Sequence, residues 1–169
     1  MSLKPSTGAD LATQIVQNQI DRLENSEILL GPAAIAVALA SAYHTYAKEA
    51  TLSGADCTFG GNVSILESAF ITDNSTAVPE NIAQGICDYW STITAPGTPS
   101  HGGTTVISVT VDGSAILSAM KAAVQNVTVG GWSAFFSATG AIVKTIPCTV
   151  TEMMPGTPPY PQAFMETIA

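Results

Sequence analysis

Two histidines and three cysteines are the residues of this chain most able to act as bases, nucleophiles or metal ligands. The cysteines, Cys57, Cys87 and Cys148, are widely spaced and form no CxxC pair, so they do not match a zinc-binding pattern. Their odd number also argues against a disulfide framework, and we expect buried free thiols. His44 lies between two tyrosines of a predicted helix, where a packing role is the simpler interpretation.

His101 follows a helix that carries Cys87 and Asp88, so a small Cys/His hydrolase is one open interpretation. A general base must lie within hydrogen-bond reach of its nucleophile or acid partner. The hydrolase therefore requires Cys87, Asp88 and His101 to converge in one cleft. The simpler interpretation is a turn histidine beside the glycine pair at 102–103. We favour the turn and assign no catalytic residue.

The glycine pairs and carboxylates do not form a recognisable ligand site. The pair at 102–103 precedes a strand, and the pair at 130–131 has no lysine after it, so neither fits a phosphate-binding loop. The carboxylates are dispersed and form no calcium loop. We therefore predict no metal and no cofactor. A ligand-binding domain with an apolar pocket near Trp90 and Trp132 is an alternative.

The clearest pattern in the chain lies between Asn81 and Met120. A helix-like run ends in a Tyr-Trp pair, a loop rich in Pro, Gly and Ser follows, and a strand then alternates Thr or Ser with Val or Ile. The predicted elements are a helix over Pro79–Thr92, a loop over Ala95–Gly103, a strand over Thr104–Val111 and a helix over Ser114–Gln125. We expect the loop to contact another protein, not a substrate.

The remaining segments add further helices and a second strand. Helical spacing or composition predicts helices over Ala9–Asn25, Pro32–Ala50 and about Trp132–Val143, and Asn62–Ile71 fits a helix or a strand. A strand is predicted over Thr145–Glu152, which Pro147 would confine to a sheet edge.

These elements predict an α+β fold, with about five helices packed on a small, partly antiparallel sheet. Residues 1–8 are expected to form an N-terminal arm, residues 9–152 a single globular domain, and residues 153–169 a Pro-rich C-terminal arm. Pro-rich segments stay extended, so we expect both extended arms to bind neighbouring subunits.

The charge content limits the classes of partner. Only 11% of the residues are charged, against about 25% in typical globular proteins, and the net charge is −8. Phosphate backbones and anionic lipid surfaces are bound by clustered Lys and Arg, and this chain has five such residues in all. We therefore expect no nucleic acid and no membrane partner. The apolar run Ile28–Tyr43 is short for a bilayer span and contains a Gly-Pro step.

A surface this poor in charge is unusual for a free monomer, because charge keeps small domains soluble and apart. We therefore expect an obligate assembly in which copies of the chain cover part of one another, most simply a homo-oligomer. The candidate contact residues are Tyr160, Phe164, Met165, Trp90, Trp132 and His101.

Three features together resemble small structural proteins of tailed bacteriophage virions. They are the Ala-rich helix ending Ala-Tyr-His-Thr-Tyr-Ala at 42–47, the Asp-Tyr-Trp-Ser segment at 88–91 with the strand that follows it, and the final Pro-rich arm. The resemblance implies a non-enzymatic part of the virion, made in the host cytoplasm and packed against copies of itself and other virion proteins. A neck, tail or baseplate position is expected, and a capsid-decorating position is the alternative.

Overall fold

The computed structural model of the chain describes residues 4–52, 61–71, 78–93, 97–126 and 131–169. The fold is α+β, with six α-helices and a three-stranded antiparallel sheet in these ranges. None of these helices is long and apolar enough to cross a membrane. In chain order the elements are α1 (Pro5–Glu24), α2 (Pro32–Ala47), α3 (Val63–Phe70), α4 (Val78–Ser91), β1 (Thr105–Val111), a 3-10 turn (Gly113–Ile116), α5 (Leu117–Asn126), α6 (Gly131–Val143), β2 (Pro147–Met154) and β3 (Tyr160–Thr167).

Local sequence signals set where the helices begin. Pro5 and Pro32 open α1 and α2 in the first turn, where a missing backbone N–H costs no hydrogen bond. The Asn62 side chain caps α3 by accepting a hydrogen bond of 3.1 Å from a backbone N–H two residues later. α1 therefore begins before the Ala9 start predicted from the sequence, and half of the expected N-terminal arm is helical.

The sheet has the order β1-β2-β3, and both pairs are antiparallel. β2 is therefore central, and its core-facing residues Cys148, Val150 and Glu152 are buried. The prediction that Pro147 confines this strand to an edge was wrong. Pro147 is the first residue of β2, where its missing N–H removes only a terminal bond of the ladder. Its carbonyl still accepts a hydrogen bond from the Asp112 N–H at 3.2 Å.

The Pro-rich segment 153–169 contributes to the chain's own sheet. β3 pairs with β2 over its whole length, and the next residue, Ile168, is buried and forms a β-bridge to Leu52. Thr51 and Ala169 exchange two backbone hydrogen bonds of 3.2 and 2.8 Å. The last residues are thus tied to the region after α2, so deleting them would remove a strand as well as any contact with a neighbour.

Five aromatic side chains from α2, α4 and α6 form the centre of the core. Their rings contact one another edge-on or stacked, with centroids 5.1–6.0 Å apart. The five are Tyr43, Tyr46, Tyr89, Trp90 and Phe136. The Trp90 indole N–H donates to the Tyr43 hydroxyl at 3.1 Å, which gives both buried polar groups a partner. Trp90, a candidate contact residue, is therefore fully buried in the core.

Alanine substitutions at Gly113 and Gly31 compare a tightly packed position with an open one. A Cβ atom at Gly113 would overlap the backbone carbonyl of Cys87 in α4, whereas one at Gly31 would meet nothing within 4 Å. We expect Gly113→Ala to lower the free energy of unfolding by about 1–3 kcal/mol, because the 3-10 turn must shift to admit the methyl group. Gly31→Ala should cost less, about 1 kcal/mol or below, because Gly31 is the N-cap of α2 and alanine is a poorer N-cap than glycine. Urea denaturation followed by circular dichroism measures both, and equal stabilities would contradict the close packing.

Candidate functional site

The buried carboxylate of Glu152 organises the loop before β1. Its oxygens accept backbone hydrogen bonds from Ser100 at 2.8 Å, from His101 at 3.2 Å and from Gly103 at 3.1 Å. Glycine is required at 103 because a Cβ atom there would lie 2.7 Å from the Glu152 side chain. A side chain of the central strand therefore holds this loop in place. The earlier loop residues 95 and 96 lie outside the described ranges.

The hydrogen bonds also set the protonation state of Glu152. Burial alone acts to raise the pKa of its carboxyl group, whereas the backbone N–H groups of Ser100, His101 and Gly103 and the His101 ring lower it. The lowering effects are larger together, so the pKa lies below its ordinary value. The group is therefore a carboxylate at neutral pH.

The His101 ring lies between two buried carboxylates. Its Nδ1 atom is 3.1 Å from Glu152 Oε1, and its Nε2 atom is 3.6 Å from Glu166 Oε1. The ring stacks on Phe164, with centroids 3.9 Å apart and planes 4° from parallel. Both ring nitrogens and one ring face are thus engaged by side chains of β2 and β3, which makes His101 a structural link between the loop and the sheet.

Ser100 does not complete a serine-type catalytic triad with this histidine. Its hydroxyl oxygen is 3.2 Å from His101 Nδ1, the same ring nitrogen that faces Glu152. A triad needs the serine and the orienting carboxylate on opposite ring nitrogens, so that the imidazole can accept a proton from one side while the other side is held. Here the opposite nitrogen faces Glu166, a second carboxylate.

The Cys/His hydrolase interpretation required Cys87, Asp88 and His101 to meet in one cleft. The His101 ring contacts side chains of β2 and β3, whereas Cys87 is buried in the core. Asp88 accepts a hydrogen bond of 2.8 Å from Gln84 on the exposed face of α4. Burial, followed by the nearby Asp88, raises the pKa of Cys87 to about 11. The thiol is therefore protonated at neutral pH, which is the opposite of what a nucleophile needs.

Among the described residues, His44 and Cys148 do not form a second reactive site. His44 Nδ1 is 2.7 Å from the Tyr89 hydroxyl, and burial, followed by Lys48, lowers its pKa. Burial raises the pKa of Cys148 to about 12. Cys57 lies outside the described residues. Within the described ranges, no group of three or more His, Cys, Asp or Glu residues could hold a metal ion.

One face of α1 carries small residues first and large aliphatic residues after them. At its N-terminal end this face packs on α6, where Gly8 lies against the Phe136 ring. Further along the same face Val16, Ile20 and Leu23 are 45, 42 and 68% exposed. Their i, i+4, i+7 spacing places them in one row, which we name the α1 ridge.

The linker between α1 and α2 adds two more exposed apolar side chains. Ile28 is 88% exposed and Leu29 is 49% exposed. Arg22 donates to the Ile28 carbonyl at 3.0 Å. The Leu30 N–H donates to the Gln19 side-chain oxygen, also at 3.0 Å. These bonds hold the linker against the end of α1.

An open groove of about 410 Å³ lies between α1 and α2 on the other side of α1. Its apolar lining comes from Leu11 and Ile15 in α1, Leu30 in the linker, and Ala38 and Ala42 in α2. The polar groups around it are amides and hydroxyls, and none of the described residues that line it is charged. We name it the α1–α2 groove. It is not the closed pocket near the two tryptophans that a ligand-binding domain would have.

The candidate contact residues from the sequence lie in different environments. Tyr160 and Met165 on β3 are 50 and 71% exposed, and both are available to a neighbouring subunit. Trp132 on α6 is half-buried against the core. Phe164 is covered on one face by the His101 ring. The ridge and the groove were not predicted from the sequence.

Comparisons with models of protein families, with curated proteins and with solved structures find no match to this chain. Two features of the molecule bear on its function. One is the His-Glu cluster, which is engaged inside the chain. The other is the exposed apolar surface of α1, its linker and α2.

Replacing Glu152 with Gln tests whether the carboxylate holds the loop. A neutral amide has one acceptor oxygen and accepts weaker hydrogen bonds, so Glu152→Gln should lower the free energy of unfolding by roughly 2–3 kcal/mol. Because the pKa of Glu152 is lowered in the folded chain, its stabilisation is present above the unfolded pKa, about 4.3. It is lost as the pH falls through the folded-state pKa. The wild type should therefore lose more stability than Glu152→Gln on acidification.

The matched control is Glu24→Gln, because Glu24 is exposed in the last turn of α1. Its free energy of unfolding at neutral pH should stay within about 0.5 kcal/mol of the wild type's. Urea denaturation at stepped pH values measures all three proteins. Parallel acid dependence in the wild type and Glu152→Gln would contradict the role given to this carboxylate.

Proposed function

We propose that this chain is a non-enzymatic structural and assembly protein of a tailed bacteriophage virion, as a neck, tail or baseplate component. It acts through contacts between subunits. Its partners on this proposal are copies of itself and other virion proteins, and it uses no cofactor.

The observation that carries the proposal is the apolar surface formed by the α1 ridge and the linker. Five large aliphatic side chains there are 42–88% exposed. Burial of apolar surface contributes about 25 cal/mol for each Å² removed from water. Exposed aliphatic side chains grouped on one helix and its linker are typical of a site of protein contact.

The histidine and cysteine side chains that could act in catalysis are held by contacts within the chain, which supports a binding role over a catalytic one. Both His101 ring nitrogens face carboxylates of the same chain, and the pKa of the buried Cys87 thiol is raised to about 11. A general base must be free to take a proton from a substrate or nucleophile. We therefore favour a function in surface contact over a catalytic function.

The virion setting is supported by the sequence resemblance and by the low charge content. A protein with 11% charged residues has less electrostatic protection against association than a typical soluble monomer. Inside a virion that surface is covered permanently. A capsid-decorating position is the alternative within the same class, and it would place the apolar surface against the capsid shell.

The mass of the native particle tests the assembly function. The full chain, 17.3 kDa, should run as a multimer in size-exclusion chromatography with light scattering, and its mass should not fall on moderate dilution. A monomer at micromolar concentration would contradict self-assembly.

A second measurement tests the virion setting directly. Particles of the encoding phage, purified on a density gradient, should contain the chain at a fixed copy number by quantitative mass spectrometry. Recovery of the chain only in the soluble fraction of the lysate would remove the virion assignment.

A further inference from the structure

We propose that the α1 ridge of one copy seats in the α1–α2 groove of the next copy, so that the chain assembles head to tail. The occupant of the groove is thus a second copy of this chain. This contact rests on the proposed function, because it is the subunit contact that the proposed assembly would use.

The apolar face of α1 carries small residues where α6 packs on it and large aliphatic residues where it is exposed. Where α6 packs, small residues such as Gly8 and Ala12 let the two helices approach closely. The face then continues as Val16, Ile20 and Leu23, which are 45, 42 and 68% exposed. Exposed helix positions of a monomer are normally polar, so a row of aliphatic side chains at helical spacing is a surface shaped for another protein.

The groove is a suitable receptor for that row. Ala38, Ser41 and Ala42 keep the α2 wall low, and Leu11 and Ile15 supply the apolar α1 wall. Rows of side chains on one helix pack into the grooves between rows on another. The volume of about 410 Å³ lies within the roughly 300–1,000 Å³ of ligand clefts, so it admits several aliphatic side chains.

Charge favours this contact over other contacts between copies. The chain carries a net charge of −8, so most pairs of faces bring like charges together. The three ridge residues and the described groove lining are uncharged. Seating the ridge side chains in the groove therefore buries no charged group of either surface, which would cost several kcal/mol if the charge were unpaired.

The available apolar area is in the range that a stable contact needs. The exposed parts of the ridge and of the two linker side chains present on the order of 500 Å², comparable to the largest patches on soluble proteins. A standard interface buries about 800 Å² per partner. Since roughly 56–65% of interface area is apolar, these side chains present most of the apolar area that one partner contributes.

The positions of ridge and groove around α1 determine the symmetry. At about 100° per residue, the ridge row and the groove-lining row of α1 lie roughly 150° apart around the helix. One partner therefore cannot occupy both at once. A twofold contact uses the same patch on both subunits, whereas a contact between two different patches repeats to form a ring or a filament. The expected assembly is thus a ring or filament.

Two single variants separate the two halves of the contact. Leu23→Glu places a charge on the ridge, and Ser41→Glu places one in the groove, and both sites are exposed, so the core is untouched. Each variant should be monomeric by light scattering, with the circular dichroism spectrum of the wild type and a cooperative urea transition. The matched control is Ile71→Glu, which adds the same charge at an exposed apolar side chain after α3. It should assemble like the wild type.

Mixing the two monomeric variants gives the decisive result. Leu23→Glu retains a working groove and Ser41→Glu retains a working ridge, so a 1:1 mixture should form a heterodimer of twice the chain mass and nothing larger. The double variant carrying both changes should remain monomeric in every mixture. A failure to form the heterodimer would overturn head-to-tail assembly.

Other outcomes identify other contacts. A wild-type particle that is a dimer and goes no further would show a twofold interface and overturn the inference. Native mass spectrometry that finds a small apolar molecule bound to wild type and lost in Ser41→Glu would show a ligand pocket, again overturning it. A wild-type multimer that persists in both folded variants would reject the ridge-groove contact and keep the proposed function. A wild-type monomer would reject both.

Discussion

The buried carboxylate of Glu152 is the interaction on which the arrangement of the sheet and its preceding loop depends. A charge removed from water must be compensated by hydrogen bonds or an opposite charge. The chain provides backbone N–H groups from Ser100, His101 and Gly103 together with the His101 ring. Because these donors come from the loop and the acceptor comes from the central strand, the loop can take only one position relative to β2. That position also brings the His101 ring onto Phe164 of β3, so one ionised side chain connects the loop with two strands.

Because the charge of Glu152 is compensated within the fold, the cluster of one histidine and two acidic residues has a structural role here. Such a cluster is typical of an active site when one of its members remains available to a substrate. Here the hydrogen bonds lower the pKa of Glu152 and the histidine lies between two carboxylates, so the charges stabilise the fold. The aromatic core follows the same principle, because the Trp90 indole and the Tyr43 hydroxyl satisfy each other. The exposed surface of α1 and its linker is different, because its apolar groups have no such partner within the described chain.

The sequence predicted the fold class and most elements, since the Thr/Val alternation of β1 and the helical spacings are local signals. It did not predict that Pro147 would open a central strand or that the Pro-rich end would become β3, because strand neighbours are set by contacts between distant segments. Cys148, Val150 and Glu152 occupy alternate positions of the strand and therefore share one face. This alternation in the sequence indicated that the Glu152 carboxylate is buried. Its donors lie about fifty residues earlier, so the sequence could not reveal them. The α1 ridge could not be predicted for another reason. Its residues fit an ordinary amphipathic helix, and only the packing of α6 on part of α1 shows which of them stay exposed.

The remaining physical question is why an acidic chain would keep an aliphatic ridge. As two copies approach, the net charge of −8 makes them repel, which slows unspecific association. Repulsion between surface charges is screened beyond about 8–10 Å in physiological salt, whereas apolar contact acts only when two surfaces touch. A pair of copies therefore gains most in the orientation that joins uncharged apolar surfaces and keeps the acidic faces apart. Ridge and groove on opposite sides of one helix allow that orientation to repeat from copy to copy. The net charge thus opposes disordered association, and the apolar row stabilises one contact. An ordered assembly requires both.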